Sequence, residues 1–234
     1  MARLVDYRRD GAIATITMDD GKMNALSLAM LGALDAALDR AAAANAVVVL
    51  TGRDRVFSAG FDLPVLRAGG LTAFTMVRAG FEIAERVLSF PTPVVMACTG
   101  HAIAMGSFLL LSGDYRVGAE GAYTVVANEV AIGLTMPHAA VEMLRQRLTP
   151  SCFNRAVVLA EPFGPDEAVT AGFLDRVVEP DALLPAAYEV ATRLSALDGA
   201  AHAASKLRAR SSTLDAVRAA IELDTAAFRA RTSA

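Results

Sequence analysis

Two short runs constrain this chain more than any other feature: VVVL at 47–50 and VVMAC at 94–98, each free of charged residues. A strand with one wet face alternates polar and apolar residues. A strand without alternation is buried on both faces, which is the condition of parallel sheets covered by helices. A parallel pair needs a crossover, and residues 72–90 supply one, reading as a helix that ends before the Pro91 and Pro93 punctuation. The same rhythm continues on either side. Residues 12–18 (AIATITM) alternate loosely as a strand, Ser27 is placed to cap an Ala/Leu-rich helix running to about residue 44, and 115–117 and 123–126 read as further strands. Strands alternating with helices predict an α/β fold with parallel crossovers. From Pro137 onward the pattern is mostly helical, interrupted by one strand candidate at 174–178, with helices expected at 181–197 and about 212–228. The chain therefore divides into an α/β core, 1–180, and a C-terminal helical region, 181–234.

Composition excludes several classes. A chain of 234 residues, 54% hydrophobic and 20% charged, has ample apolar content for a buried core. Its net charge of −3 carries no block of like charges, so there is no electrostatic footprint for nucleic acid. The cysteines, Cys98 and Cys152, lie far apart without metal-ligand spacing; no disulfide framework is expected, and the chain reads as cytoplasmic. The opening MARLVDYRRDG lacks a signal-peptide core, and apolar runs are interrupted well before the length of a membrane span. His101, His138 and His202 are scattered, so no metal site is expected.

Three segments have a composition unusual for scaffold. VFSAGFDL (56–63) follows the first buried strand and puts small residues at the strand's carboxyl end, where open α/β sheets bind ligands. Backbone N–H groups of such a turn can point at a ligand oxygen. CTGHAIAMGSF (98–108) follows the second buried strand and leads into an apolar helix-like run, whose first amides are unpaired donors. Two such turns converging on one carbonyl oxygen would form an oxyanion hole. ANEVAIGL (127–134) is apolar except for Asn128 and Glu129. A lone glutamate in such a stretch is desolvated, its pKa rises, and it becomes suited to proton transfer; a strand-end glutamate facing solvent or an arginine fits the same residues.

Together and in this order, the segments resemble the crotonase (enoyl-CoA hydratase/isomerase) family. Asn24-Ala25-Leu26-Ser27 is similar to its early NAL(S/N) turn, FSAGFDL to its F-(S/C/A)-AG-x-D loop, and TGHAIAMGS to its NG-x-A-x-GGG loop. Asn128-Glu129 with Gly133 is similar to its second carboxylate segment, and AVTAGFLDRVV (168–178) to its A-x-x-x-G-L-V-(D/N)-x-V-V stretch. The resemblance implies a crotonase-like spiral of ββα/βαβ units with a C-terminal helical region for oligomerisation and site closure, assembled as a homotrimer or homohexamer. It implies an acyl-CoA thioester as substrate, with no separate cofactor, and a thioester oxygen held by the backbone N–H groups of Phe61 and Met105. Gly60, Gly106, Phe108 and Leu134 would line the substrate pocket. Ala59, Asp62 and Leu63 would contact CoA, Lys22 would meet a phosphate, and Lys206 and Phe228 would flank the adenine, in this or a neighbouring subunit. A solvated lysine and a packed phenylalanine fit the last three positions equally well.

The departure from the family pattern falls at Phe108, where the family's hydratases carry the first of two glutamates; the second matches Glu129. Hydration needs groups that position water and move its protons, whereas shifting a double bond from C3 to C2 needs one base and an oxyanion hole. The one-carboxylate pattern, with Gly113-Asp114-Tyr115-Arg116 before it, is similar to that of Δ3,Δ2-enoyl-CoA isomerases. The expected function is isomerisation with Glu129 as base. Two alternatives stand beside it: a hydratase or other crotonase-type reaction, and a catalytically silent acyl-CoA binder.

Overall fold

The computed structural model describes residues 3–232. The chain enters through an antiparallel pair, β1 (Val5–Asp10) and β2 (Ile13–Met18), followed by helix α1 (Leu28–Ala43). Ser27 caps α1 as its residue type predicts, its Oγ accepting from the Met30 amide at 3.2 Å. The run at 47–50 is β3 (Val47–Thr51), buried along its whole length, and β4 (Arg55–Ser58) follows at once. Helices α2 (Leu63–Ala68) and α3 (Gly70–Leu88) lead to β5 (Val94–Cys98), again wholly buried, then β6 (Gly100–Ile103) and α4 (Met105–Leu111). The third repeat is β7 (Tyr115–Ala119) and β8 (Val125–Val126), succeeded by helices α5 (His138–Arg145), α6 (Pro150–Leu159) and α7 (Pro165–Ala171). A last strand, β9 (Arg176–Val178), precedes α8 (Leu183–Ser195) and the long α9 (Gly199–Thr232).

Each repeat is a strand pair split between two sheets. The first strand of each pair joins a six-stranded sheet ordered β1-β2-β3-β5-β7-β9, and the second joins a three-stranded sheet ordered β4-β6-β8. Apart from β1–β2, all pairings are parallel. This is the spiral of ββα units that the resemblance implies. Two of its strands, β4 and β6, fall where sequence pattern predicted only turns.

The boundary expected at residue 180 does not divide the core. Helix α8 lays Leu183, Ala187, Val190 and Ala191 against Val49, Val95 and Val117, covering one face of the large sheet. The parallel strands are buried on both faces for that reason. Helix α9, expected only over 212–228, runs from Gly199 to Thr232 and packs between α3 and α5. Its apolar positions Leu214, Val217 and Ile221 are buried within this one chain, so they do not call for a partner subunit. No described helix is long and apolar enough to cross a membrane.

Candidate active site

Because β4, β6 and β8 are adjacent parallel strands, their carboxyl ends lie along one edge, with neighbouring strands about 4.8 Å apart. The three chemically unusual segments are what leaves those ends. Ala59 to Asp62 connects β4 to α2, Ala104 connects β6 to α4, and Asn128-Glu129 follows β8. A cavity of about 500 Å³ opens over this edge, with Phe61, Ala104, Phe108 and Glu129 in its wall.

The first two turns are pressed together. Gly60 has φ of +84°, and a side-chain carbon there would stand 2.7 Å from the Ile103 carbonyl oxygen and 3.3 Å from the Met105 nitrogen. Only glycine fits both the backbone angle and the space. The Asn24-Ala25-Leu26-Ser27 turn braces the arrangement from behind. Asn24 is fully buried, its Nδ2 donates to the Met18 and Phe57 carbonyls, and Ser58 Oγ donates to the Asn24 carbonyl at 2.8 Å. The Leu26 amide donates to the Gly60 carbonyl. Across from this, Ala104 has φ of +49° and ψ of −123°, a conformation L-residues rarely adopt. It is the residue before α4, so the Met105 amide is the first of that helix and has no acceptor within it.

Glu129 is buried, and its Oε2 has no hydrogen-bond partner among the described residues. Burial pushes its carboxyl pKa up to about 7, with only its own backbone N–H acting against the rise. The Glu129 carbonyl accepts from the Ile132 and Leu134 amides, which fixes a single 3-10 turn at Val130–Ile132. Asn128 Oδ1, also on the cavity wall, is likewise buried and unpartnered. Phe108 is buried and stacks on Phe81, with centroids 6.1 Å apart; Phe81 in turn meets the Phe61 ring edge-on. The position that the resemblance assigns to a hydratase's first glutamate is part of an aromatic wall.

The residues named from sequence do not all reach the cavity. Glu129, Phe61, Phe108, Leu134, Ala59, Leu63 and Phe228 line it. Gly60, Met105 and Gly106 stand behind the wall, Gly106 packed on the Ser58 carbonyl. Asp62 caps α2, accepting from the Val65 amide. Lys22 is exposed on the surface before Asn24. Lys206 is a correction: its ammonium is buried on Asp114 at 2.8 Å, burial pushes it down to about 8, and it does not line the cavity. The expected CoA contact is a structural ion pair that holds α9 to the segment before β7. Phe228 stacks on Phe74 of its own chain, centroids 4.4 Å apart. Apart from Phe228, the α3 and α9 walls of the cavity, including Phe74, Val77, Ile221 and Thr225, carry no motif and were not visible in the sequence.

Comparison with known proteins agrees with this architecture. Residues 8–234 match the enoyl-CoA hydratase/isomerase family. A protein of Mycobacterium avium named probable enoyl-CoA hydratase is 33% identical over 215 residues, covering 91% of this chain and 81% of its own. A Mycobacterium tuberculosis structure described as an enoyl-CoA isomerase is 50% identical with a TM-score of 0.93, covering 97% of this chain and 99% of that one. The same M. tuberculosis protein is called a probable enoyl-CoA hydratase in a second structure, at 50% identity, a TM-score of 0.95 and 98% coverage of both chains. Human mitochondrial Δ3-Δ2-enoyl-CoA isomerase, at 24% identity, has the same fold, with a TM-score of 0.86 and coverage of 94% and 92%. The chain belongs to the enoyl-CoA hydratase/isomerase (crotonase) family.

Proposed function

We propose that this protein is an enoyl-CoA isomerase that moves a double bond from C3 to C2 of an acyl-CoA thioester. The observation that carries the reading is the pairing of one desolvated carboxylate, Glu129, with an apolar wall at Phe108. The amides of Phe61 and Met105 receive the thioester oxygen. Glu129 takes a proton from C2, the electron pair spreads over the dienolate to the oxygen, and the proton returns at C4 as the C2–C3 double bond forms. One carboxylate completes the cycle and is regenerated.

A hydratase of this family uses a second acid–base group for water, and Asn128, the unpartnered neighbour of Glu129, cannot exchange protons as a carboxylate does. The other carboxylate on the wall, Asp224, has both oxygens engaged by the His138 and Ala139 amides at 2.9 and 3.0 Å. A silent binder would have no use for the unpartnered Glu129 oxygen, since burying such a group is costly. One description of the M. tuberculosis protein half identical to this chain, as an enoyl-CoA isomerase, agrees with this reading, while the other calls it a probable hydratase. The test is turnover of 3-enoyl-CoA against hydration of 2-enoyl-CoA. Migration without appreciable hydration is expected; hydration as the faster reaction would overturn the proposal.

Met105→Pro tests the oxyanion site, because it removes the amide hydrogen at the first position of α4, although it also strains Ala104, whose φ of +49° and ψ of −123° lie outside the range favoured before proline. Turnover should fall by about 10²–10³, the effect of losing one such donor, with circular dichroism confirming the fold. A folded variant of normal activity would take that amide out of the mechanism. We further propose the trimer or hexamer of the family. Val130, Ile132 and Leu134 beside Glu129, and Val158 and Leu159 on α6, are exposed apolar residues that a second copy would cover. Light scattering at micromolar concentration should show no monomer; a monomer alone would refute this.

A further inference from the structure

The cavity is longer than proton transfer at Glu129 requires. Two of its walls, α3 and α9, run antiparallel in register: Glu85 meets Arg218, Arg78 meets Glu222 and Thr225, and Phe74 stacks on Phe228. Positions 74, 77 and 81 of α3 and 221, 225 and 228 of α9 recur at three- and four-residue spacing, so each helix turns one continuous face to the cavity. Phe81 marks the inner end, against Phe61 and Phe108. Phe74 lies seven residues along the same helix, roughly 10 Å away at the α-helical rise. Val77 and Ile221 line the interval with hydrocarbon. The cation there, Arg78, is engaged by Glu82 and Glu222, an arrangement that repels a phosphate and leaves an alkyl chain unaffected.

We propose that the acyl tail runs along the α3–α9 groove and that the Phe74–Phe228 stack is the stop that sets its length. The proposal rests on the acyl-CoA reading above and assigns medium-chain substrates: C–C bonds of about 1.5 Å advance an extended chain by roughly 1.25 Å per carbon, so roughly 10 Å of helix accommodates about eight carbons. Phe228 is then a specificity residue of its own chain rather than an adenine contact.

The experiment measures binding of saturated acyl-CoA thioesters of four to sixteen carbons by calorimetry to wild type, Phe74→Ala and Phe228→Ala, alongside kcat/KM for the matching 3-enoyl-CoA series. Phe228→Leu serves if truncation to Ala loosens α9. In wild type, affinity should rise roughly four-fold per added methylene while methylenes are being buried, then level off near eight carbons. In either variant the rise should continue, so that the ratio of twelve- to four-carbon affinity grows at least about ten-fold, the gain from burying two further methylenes. A uniform change at every length would place the rings against the CoA portion and overturn the proposal. So would an unchanged profile, or wild-type affinity still climbing at sixteen carbons. If the binding profile holds while 3-enoyl-CoA is not turned over, the groove stands and the isomerase reading falls. Absence of binding at every length refutes both.

Discussion

Glu129→Gln is expected to abolish double-bond migration while leaving acyl-CoA binding nearly intact. Glutamine keeps the volume and can still accept a hydrogen bond, but an amide cannot take the C2 proton as a carboxylate does. General acid–base groups contribute about 10²–10⁴ in rate. Here the loss should lie at the upper end, because the other carboxylate on the cavity wall is held by helix amides. The same burial that isolates Glu129 fixes the pH response. With a carboxyl pKa of about 7 in the free protein, kcat/KM should fall as pH drops below 7 and the base becomes protonated. Stability moves the other way. The folded-state pKa lies above the ordinary 4.5, so between those values the folded chain holds a proton that the unfolded chain has released. The destabilisation is absent at lower pH and complete above pH 7, on the order of 3 kcal/mol for a shift of this size. Glu129→Gln should therefore be more stable than wild type at pH 8 and nearly equal to it at pH 4.5. Unchanged turnover in the variant would remove Glu129 as the base; a lower melting temperature at pH 8 would contradict its desolvation.

What the sequence made legible follows the range of the interactions involved. The runs at 47–50 and 94–98 revealed parallel strands because burial on both faces leaves a local signature. Ser27 revealed a helix start because capping is local. Glu129 stood out as a charge in an apolar stretch, and its unpartnered oxygen is the physical counterpart of that pattern. Strands β4 and β6 were hidden: each has four residues, mixes small and polar side chains, and reads as a turn. Gly100 misled in particular. It sits within β6, where a side-chain carbon would stand 1.9 Å from the Arg55 carbonyl oxygen, so it marks a close approach of two backbones rather than a bend. Phe61 and Met105 are proposed as donors only through the family resemblance, since a backbone donor has no side-chain signature. The pairing of α3 with α9 in the cavity wall was invisible for another reason, Phe228 alone having been named: Arg78 and Thr225 are 147 positions apart, and no window along the chain contains both. Lys206 failed as a surface cation because a single residue type does not reveal whether its partner is a ligand or Asp114.

Asp175→Ala should destabilise the fold by about 3–5 kcal/mol, the range for breaking a buried ion pair from one side. Arg116 has a side-chain exposure of 2%, and Asp175 takes its Nε and Nη2 at 2.9 and 2.7 Å. Asp175 also accepts from the Arg116 backbone amide at 2.8 Å, while the Asp175 amide donates to the Arg116 carbonyl. The pair thus carries two jobs: it neutralises a guanidinium inside the protein and fixes the start of β9 against β7 at the edge of the large sheet. Removing the carboxylate leaves Arg116 with the Gly172 carbonyl, at 3.0 Å, as its remaining partner. It also takes away a negative charge near Arg147, whose pKa burial pushes down to about 10, with Arg116 adding to the effect. For a domain of this size the melting temperature should drop by roughly 10 °C, at about 2–4 °C per kcal/mol. The double variant Arg116→Met, Asp175→Ala separates the causes. If the uncompensated charge dominates, it should recover most of the loss, because a hydrophobic replacement of a buried pair is often neutral. If the double variant stays as unstable as the single one, the lost backbone contacts at the β7–β9 edge dominate instead, and the charge account of Asp175 is wrong.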